Sequence, residues 1–248
     1  MAKFFRKIRQ RLLNDFKFNQ YLLYAIGEIL LVVFGILIAF QIDAWNKQRE
    51  QSKEEQRILH NLKTDLLNDI AQLDINIQSS LDRQANTDTL LTILAEPQEH
   101  TVDKFLALVY PLFYESHFEV NSGTFDESLA SGTIKYIKND SLRQEIFEYY
   151  RDAKLSYADK NSLKMTYELI LPQFAKTLAP SKDFVSFFAQ KSTLLPNLNL
   201  SAIAQDKEFY TMLILKLGTE DDQVRNWLRY KKTAQVLLEK TETQLQKK

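Results

Sequence analysis

Glu28 is the residue whose position most demands a chemical explanation. It is the one charge in the apolar run Tyr21 to Ile42, YLLYAIGEILLVVFGILIAFQI. A carboxylate held at mid-depth in hydrocarbon costs about 2.5–3.5 kcal/mol on insertion scales, and less near an interface. Two solutions exist. The group can be protonated and bonded locally, with Tyr24 one turn earlier placed to donate its hydroxyl. Alternatively it meets a partner, and a face of the helix supports that. Ala25, Glu28, Val32, Gly35 and Ala39 recur at steps of three and four. Gly35-xxx-Ala39 is a small-xxx-small pattern that lets two helices approach closely. The expectation is that this face packs on another membrane helix, from a second copy of the chain or from a different membrane protein.

Other reactive side chains form no comparable pattern. The chain has three histidines and no cysteine. His60 lies beside the Ile58–Leu62 face, His100 follows Pro97, and His117 sits in Glu115-Ser-His-Phe-Glu119. Glu115, His117 and Glu119 could converge on a metal, but a solvated connection is the expected reading. There is no HExxH, and without cysteine a structural zinc site is not expected. GxSxG is absent, and Ser122-Gly123 and Ser131-Gly132 read as turn dipeptides. Neither GxGxxG nor a phosphate loop occurs, in a chain with five glycines. Tyr149-Tyr150 and Phe187-Phe188 read as core and surface filling. The expectation is a non-enzyme without catalytic residues, metal or cofactor.

The element that must position Glu28 is a membrane helix. About 22 residues at ~1.5 Å rise span ~33 Å, enough for a hydrocarbon core of ~30 Å. A cleaved signal peptide would have a shorter apolar core and a small-x-small site. Ala39-Phe40-Gln41 is a poor one, so an uncleaved signal anchor is expected. Tyr21, Tyr24 and Trp45 suit the two interfaces. Lys3, Arg6, Lys7, Arg9, Arg11 and Lys17 precede the span against Asp15 alone. Lys47, Arg49, Lys53 and Arg57 follow it among acids. This bias places the N-terminus in the cytoplasm and the C-terminal bulk outside. Phe4, Phe5, Ile8 and Leu12 also give residues 3–13 an apolar face. That segment is either a basic amphipathic helix in the headgroup layer or a plain basic flank. The chain is formally neutral overall, so its bulk is mildly acidic and no nucleic-acid partner is expected.

Beyond the span, hairpin turn signals are missing and helical periodicity dominates. Asn46 to Arg57 has no apolar residue and reads as a projecting, solvated helical stalk. Ile58, Leu62, Leu66, Ile70, Leu73, Ile77 and Leu81 then define one buried face, ending before Pro97. A second helix is predicted from Val102, disturbed by Pro111, and a short one from Phe125, stopped by Gly132. Ile134 and Ile137 dock the connection, and Ser141 with Gln144 has capping-box spacing. One helix is expected to carry Leu142, Ile146, Tyr149, Ala153, Tyr157, Leu163, Tyr167, Ile170 and Phe174 inward. Residues 179–200 read as an irregular lid with one short helix. Gly218 is expected to close a short helix from Asp206. Thr219 then N-caps a last helix with an acidic first turn, Glu220-Asp221-Asp222. Its inner face is read as Val224, Trp227, Leu228, Ala234, Leu238 and Leu245.

The fold expected is therefore all-α. A basic segment (1–20) precedes a transmembrane helix (21–42), a polar stalk (43–57) and a soluble antiparallel helical bundle (58–248). The segments KFFRKIRQRLL, YLLYAIGEILLVVFGILIAFQIDAWNKQRE and TFDESLASGTIKYIKNDSLRQEIFEYY carry a resemblance. They are similar to an uncharacterised family of single-pass membrane proteins of Gram-negative bacteria, known only as a domain of unknown function. The resemblance implies anchorage in the inner membrane with a periplasmic bundle, and leaves function open. The functional expectation is an interaction or scaffold module whose partners are the lipid bilayer and another membrane helix. A ligand-sensing bundle acting through a membrane partner is the alternative.

Overall fold

In the computed structural model, residues 18–154, 156–189 and 195–247 are described, and they are helical with no strand among them. Lys3, Arg6, Lys7, Arg9, Arg11 and Lys17, with the amphipathic segment 3–13, lie outside the described residues, as does the side chain of Tyr21. The chain forms two compact units, one up to Glu55 and one from Gln56 onward.

The apolar run belongs to a single helix, α1 (Phe18–Ala95), which continues unbroken through the polar stretch 46–57. It holds no proline, and Gly27 and Gly35 are the glycines within it. A glycine costs a helix only about 1 kcal/mol. Asp43 and Lys47, one turn apart, pair at 2.7 Å. The exposed Trp45 carries the Arg49 guanidinium 6.0 Å from its ring centroid.

In the second unit, α2 (Val102–Val109) is capped by Thr101, whose hydroxyl accepts from the Lys104 N–H. Pro111 then tightens the chain into a 3-10 turn over Tyr110–Phe113. An extended strap, residues 114–122, leads to α3 (Gly123–Ala130). Gly132 follows at φ +70°, in the left-handed region, and Ile134 and Ile137 dock as expected, at 7 % and 0 % exposure. A Cβ on Gly132 would meet nothing within 4 Å, so substitution strains only the backbone. Gly132→Ala should cost about 1–2 kcal/mol. It should be read as a lower urea midpoint at unchanged slope, with Gly132→Asn losing less.

α4 (Asp140–Lys154) is capped by Asn139, which accepts from the Leu142 N–H at 3.1 Å. The expected cap, Ser141, turns instead to Glu145. The single helix predicted from Leu142 to Phe174 is in fact divided. α5 (Tyr157–Met165) begins after non-helical Ser156, and a π turn over Thr166–Ile170 precedes α6 (Leu171–Thr177). Pro172 near the start of α6 cannot donate the helical bond expected there, and the wider turn absorbs the mismatch. Each interruption shifts the helical phase. Tyr157 and Tyr167, expected inside, are 78 % and 65 % exposed, while Ser156, Asp159, Ser162 and Thr166 face in.

α7 (Lys182–Ala189) is the short helix of the lid region, and α8 (Leu200–Ile203) follows. The last helix, α9 (Lys207–Gln246), is capped by Asp206 and runs straight through Gly218. Thr219 is therefore not an N-cap; it lies buried mid-helix and donates to the Lys216 carbonyl at 2.9 Å. The mid-helix glycine cost of about 1 kcal/mol is small beside the packing of forty residues. Leu228, read as core, is 50 % exposed.

α1 and α9 are antiparallel. Lys63 pairs with Glu242, Asp74 with Lys231 and Arg83 with Glu220, so contacts ascend one helix as they descend the other. Apolar clusters occupy both ends of this pair. One holds Ile58, Leu62, Leu66, Ala234 and Leu237, extended by Leu73, Trp227 and Tyr230. The other holds Leu90, Leu94, Phe209 and Leu213.

Candidate functional site

Between those clusters the helix faces are polar. α1 contributes Ser80, Arg83 and Thr87, the segment from Ser156 through α5 and its π turn Ser156, Asp159, Ser162 and Thr166, and α9 Lys216, Thr219, Glu220 and Gln223. All are buried. Leu81, expected to continue the apolar face, is 43 % exposed. The inward positions are Ser80 and Arg83 on either side of it.

At the centre, Arg83 grips the Glu220 carboxylate side-on, Nε to Oε1 at 2.6 Å and Nη2 to Oε2 at 2.8 Å. Its Nη1 reaches Ser116 Oγ at 3.2 Å. Ser80 donates to Glu220 Oε2, and Lys216 Nζ lies 2.9 Å from Glu220 Oε1. The same ammonium pairs with Glu115 Oε1, which also accepts from Thr166, while Ser162 donates to Glu115 Oε2 at 3.0 Å. The four charged side chains are between 0 and 6 % exposed. Two cations thus balance two carboxylates, and each carboxylate oxygen has at least one donor. Burial alone would raise the Glu220 pKa. The Arg83 hydrogen bonds and the Lys216 and Arg83 charges outweigh it and hold the carboxyl below its ordinary value. Chemically this arrangement is a saturated lock: it fixes α1, the strap, α5 and α9 in one register.

Next to it, Asp159 accepts from Ser156 Oγ at 2.6 Å, Gln223 Nε2 at 3.1 Å and Trp227 Nε1 at 3.0 Å. Burial pushes its pKa up, and these donors offset that only in part. Gln223 also donates to the Ser116 carbonyl at 2.9 Å.

The strap is held by a row of side chains on α1. Asn76 donates to the His117 carbonyl at 2.8 Å, and Gln72 accepts from the Glu119 N–H at 3.0 Å. Asp69 accepts from the Asn121 N–H and amide at 2.8 and 2.7 Å, and Asp65 from the Thr124 N–H at 3.3 Å. The two lengths are comparable. The five extended steps from Ser116 to Asn121 cover ~17 Å, and the fourteen helical steps from Asp69 to Arg83 cover ~21 Å. Asp69 also accepts from the buried Tyr149 hydroxyl at 2.8 Å.

Of the residues singled out in the sequence, Ala25, Glu28, Val32, Gly35 and Ala39 share α1, with Glu28, Val32, Gly35 and Ala39 exposed and Ala25 half-buried. Gly27 and Gly35 meet nothing within 4 Å of a built Cβ. Tyr24 is half-buried and Trp45 exposed. Glu115, His117 and Glu119 do not converge: Glu115 turns inward to Lys216, while His117 and Glu119 are exposed. His60 is exposed and His100 half-buried. Among the described residues no group of three or more His, Asp or Glu is placed to hold a metal ion. Sequence reading missed Arg83, Lys216 and Glu220 as a unit. A signal existed in Asp65, Asp69, Gln72, Asn76, Ser80, Arg83 and Thr87, a second stripe at helical period beside the apolar one.

An open groove also runs along α9, where two clefts of about 410 and 210 Å³ share Asp152, Arg229 and Tyr230 in their walls. Elsewhere Tyr114, Phe187 and Phe188 leave an aromatic cluster around Tyr110 about half exposed.

Among the described residues one helix, α1, is long and apolar enough to cross a membrane. Residues 28–178 match the model of a family of unknown function, DUF6090. No curated protein and no solved structure matches the chain.

Proposed function

The chain belongs to the DUF6090 family of unknown function, and from that premise we propose that it is a single-pass inner-membrane protein acting as an interaction module. Its basic N-terminus faces the cytoplasm and its helical bundle the periplasm, as the Lys and Arg bias favours. The observation that carries the reading is Glu28 on an open, small-residue face of the membrane-length helix. A polar group in lipid is stabilised by a neighbouring helix that offers it a hydrogen bond, and a single span must find that helix on another chain. The half-exposed aromatic cluster at Tyr114, Phe187 and Phe188 gives the bundle a second surface of the kind protein contacts use.

Cross-linking through single cysteines placed in α1, in native membranes, tests the reading. Glu28→Leu and Gly35→Ile are each expected to weaken the cross-linked species. Unchanged cross-linking in both variants would sink it. A second reading, a ligand-sensing bundle working through a membrane partner, is favoured by the groove along α9.

A further inference from the structure

The groove is long and rich in planar polar groups. One cleft is lined by Tyr157, Asn161, Asp222 and Asn226, the other by Glu145, Glu148 and Thr233, and Asp152, Arg229 and Tyr230 belong to both. From Asp222 to Val236 the α9 wall is ~21 Å long. This holds about four pyranose rings at roughly 5 Å each.

The charges decide the ligand class. Four carboxylates on the walls suggest a cationic ligand at first sight, yet each already has a partner. Glu145 is paired with Lys240, Asp222 with Arg225 and Asp152 with Arg151, and Glu148 accepts from the Gln144 amide. Arg229 lies 4.8 Å from the Tyr230 ring centroid and donates to Asn226 at 3.2 Å. Its other N–H groups remain as donors, since a guanidinium has five. Three of the four carboxylates are thus ion-paired, and Glu148, whose partner is a neutral amide, shares its cleft with the Arg229 guanidinium, so the groove offers hydrogen-bonding capacity with its charges largely offset. Hydroxyl groups, each both donor and acceptor, match such a lining better than an ammonium or a phosphate does.

Tyr157 adds the apolar half. It is 78 % exposed, placed at the groove by the non-helical Ser156, after which it opens α5. An aromatic face carries negative potential, to which the weakly positive C–H face of a sugar ring is complementary. We propose that this groove binds a neutral oligosaccharide, with Tyr157 as the stacking platform and Asn161 and Arg229 as hydrogen-bonding contacts. The site deepens the ligand-sensing reading and rests on it for its role, whereas binding itself does not require the Glu28 contact.

The test uses the full chain in lipid nanodiscs, because glycosidic detergents would occupy the site. Cellotetraose, maltotetraose and chitotetraose are titrated by calorimetry and saturation-transfer NMR. At least one is expected to bind, and Tyr157→Ala and Asn161→Ala should each weaken it about tenfold without moving the unfolding midpoint. Absence of binding by all three up to about 10 mM, or binding indifferent to both substitutions, overturns the site. Binding of tri-lysine in their place overturns the ligand class. With the bound sugar present, an unchanged α1 cross-link counts against sensing alone and leaves the site standing.

Discussion

Lys216→Met is expected to destabilise the bundle by about 3–5 kcal/mol, a large share of the 5–15 kcal/mol typical of a domain. The methionine fills nearly the same volume, so packing is conserved and the loss is electrostatic. Glu115 would keep only the Ser162 and Thr166 hydroxyls, and an uncompensated carboxylate would stay in the core. Combining Lys216→Met with Glu115→Leu should therefore lose less than Lys216→Met alone, because both charges leave together. Two tryptophans are present, so a Trp45→Phe background makes buried Trp227 the sole reporter of bundle unfolding in urea. A double variant as unstable as the sum of its singles would show that the two groups are not coupled. Acid gives an independent check. The Glu220 pKa is lowered on folding. Its contribution is present above the unfolded value of about 4.3 and is lost as pH falls through the folded one. Glu220→Gln should lack that acid-side slope.

The polar layer shows what the sequence could and could not disclose. Apolar periodicity located one end of the bundle, since Ile58, Leu62, Leu66 and Leu73 are all at most 1 % exposed. The same rule failed where the core turns polar. Leu81 satisfied the spacing and lies outside, because Arg83 and Ser80 have partners on α9 that no local pattern reveals. Glu220 was legible as an acid suited to a helix start, but Lys216 one turn before it makes it one member of a mid-helix pair. Gly218 misled for the same reason: its local cost is real but small, and long-range packing overrides it. Tyr157 and Tyr167 were misplaced by phase, since neither the break before α5 nor the π turn has a strong local signature beyond Pro172. By contrast, Gly132, Ile134 and Ile137 obeyed local rules, and their roles were readable. Glu28 stands out without any fold, because a charge within an apolar run is a conflict visible in the sequence alone.

Asp69→Ala is expected to cost about 2–4 kcal/mol, since one buried and one half-buried donor lose their acceptor at about 1–3 kcal/mol each. The Asn121 N–H and the Tyr149 hydroxyl are those donors. The loss should be local in its dynamics: hydrogen exchange at residues 117–121 should accelerate more than at the centres of α4 and α9. Asp69→Asn should lose less, because its oxygen still serves Asn121 and its amide can donate to the Tyr149 oxygen. The two proteins should also differ in pH dependence. Burial raises the Asp69 pKa, and the Asn121 and Tyr149 donors offset this only in part. Its protonated form is therefore favoured in the folded state relative to the unfolded one. That contribution is complete below the unfolded value of about 3.9 and disappears as pH rises through the higher folded value. Wild-type stability should accordingly fall relative to Asp69→Asn on going from about pH 4 toward neutrality. Glu220 and Asp159 titrate in both proteins, so their slopes cancel in the difference. Parallel stability curves across that window would mean that Asp69 is ionised in the core as readily as in water, its Asn121 and Tyr149 donors compensating burial in full.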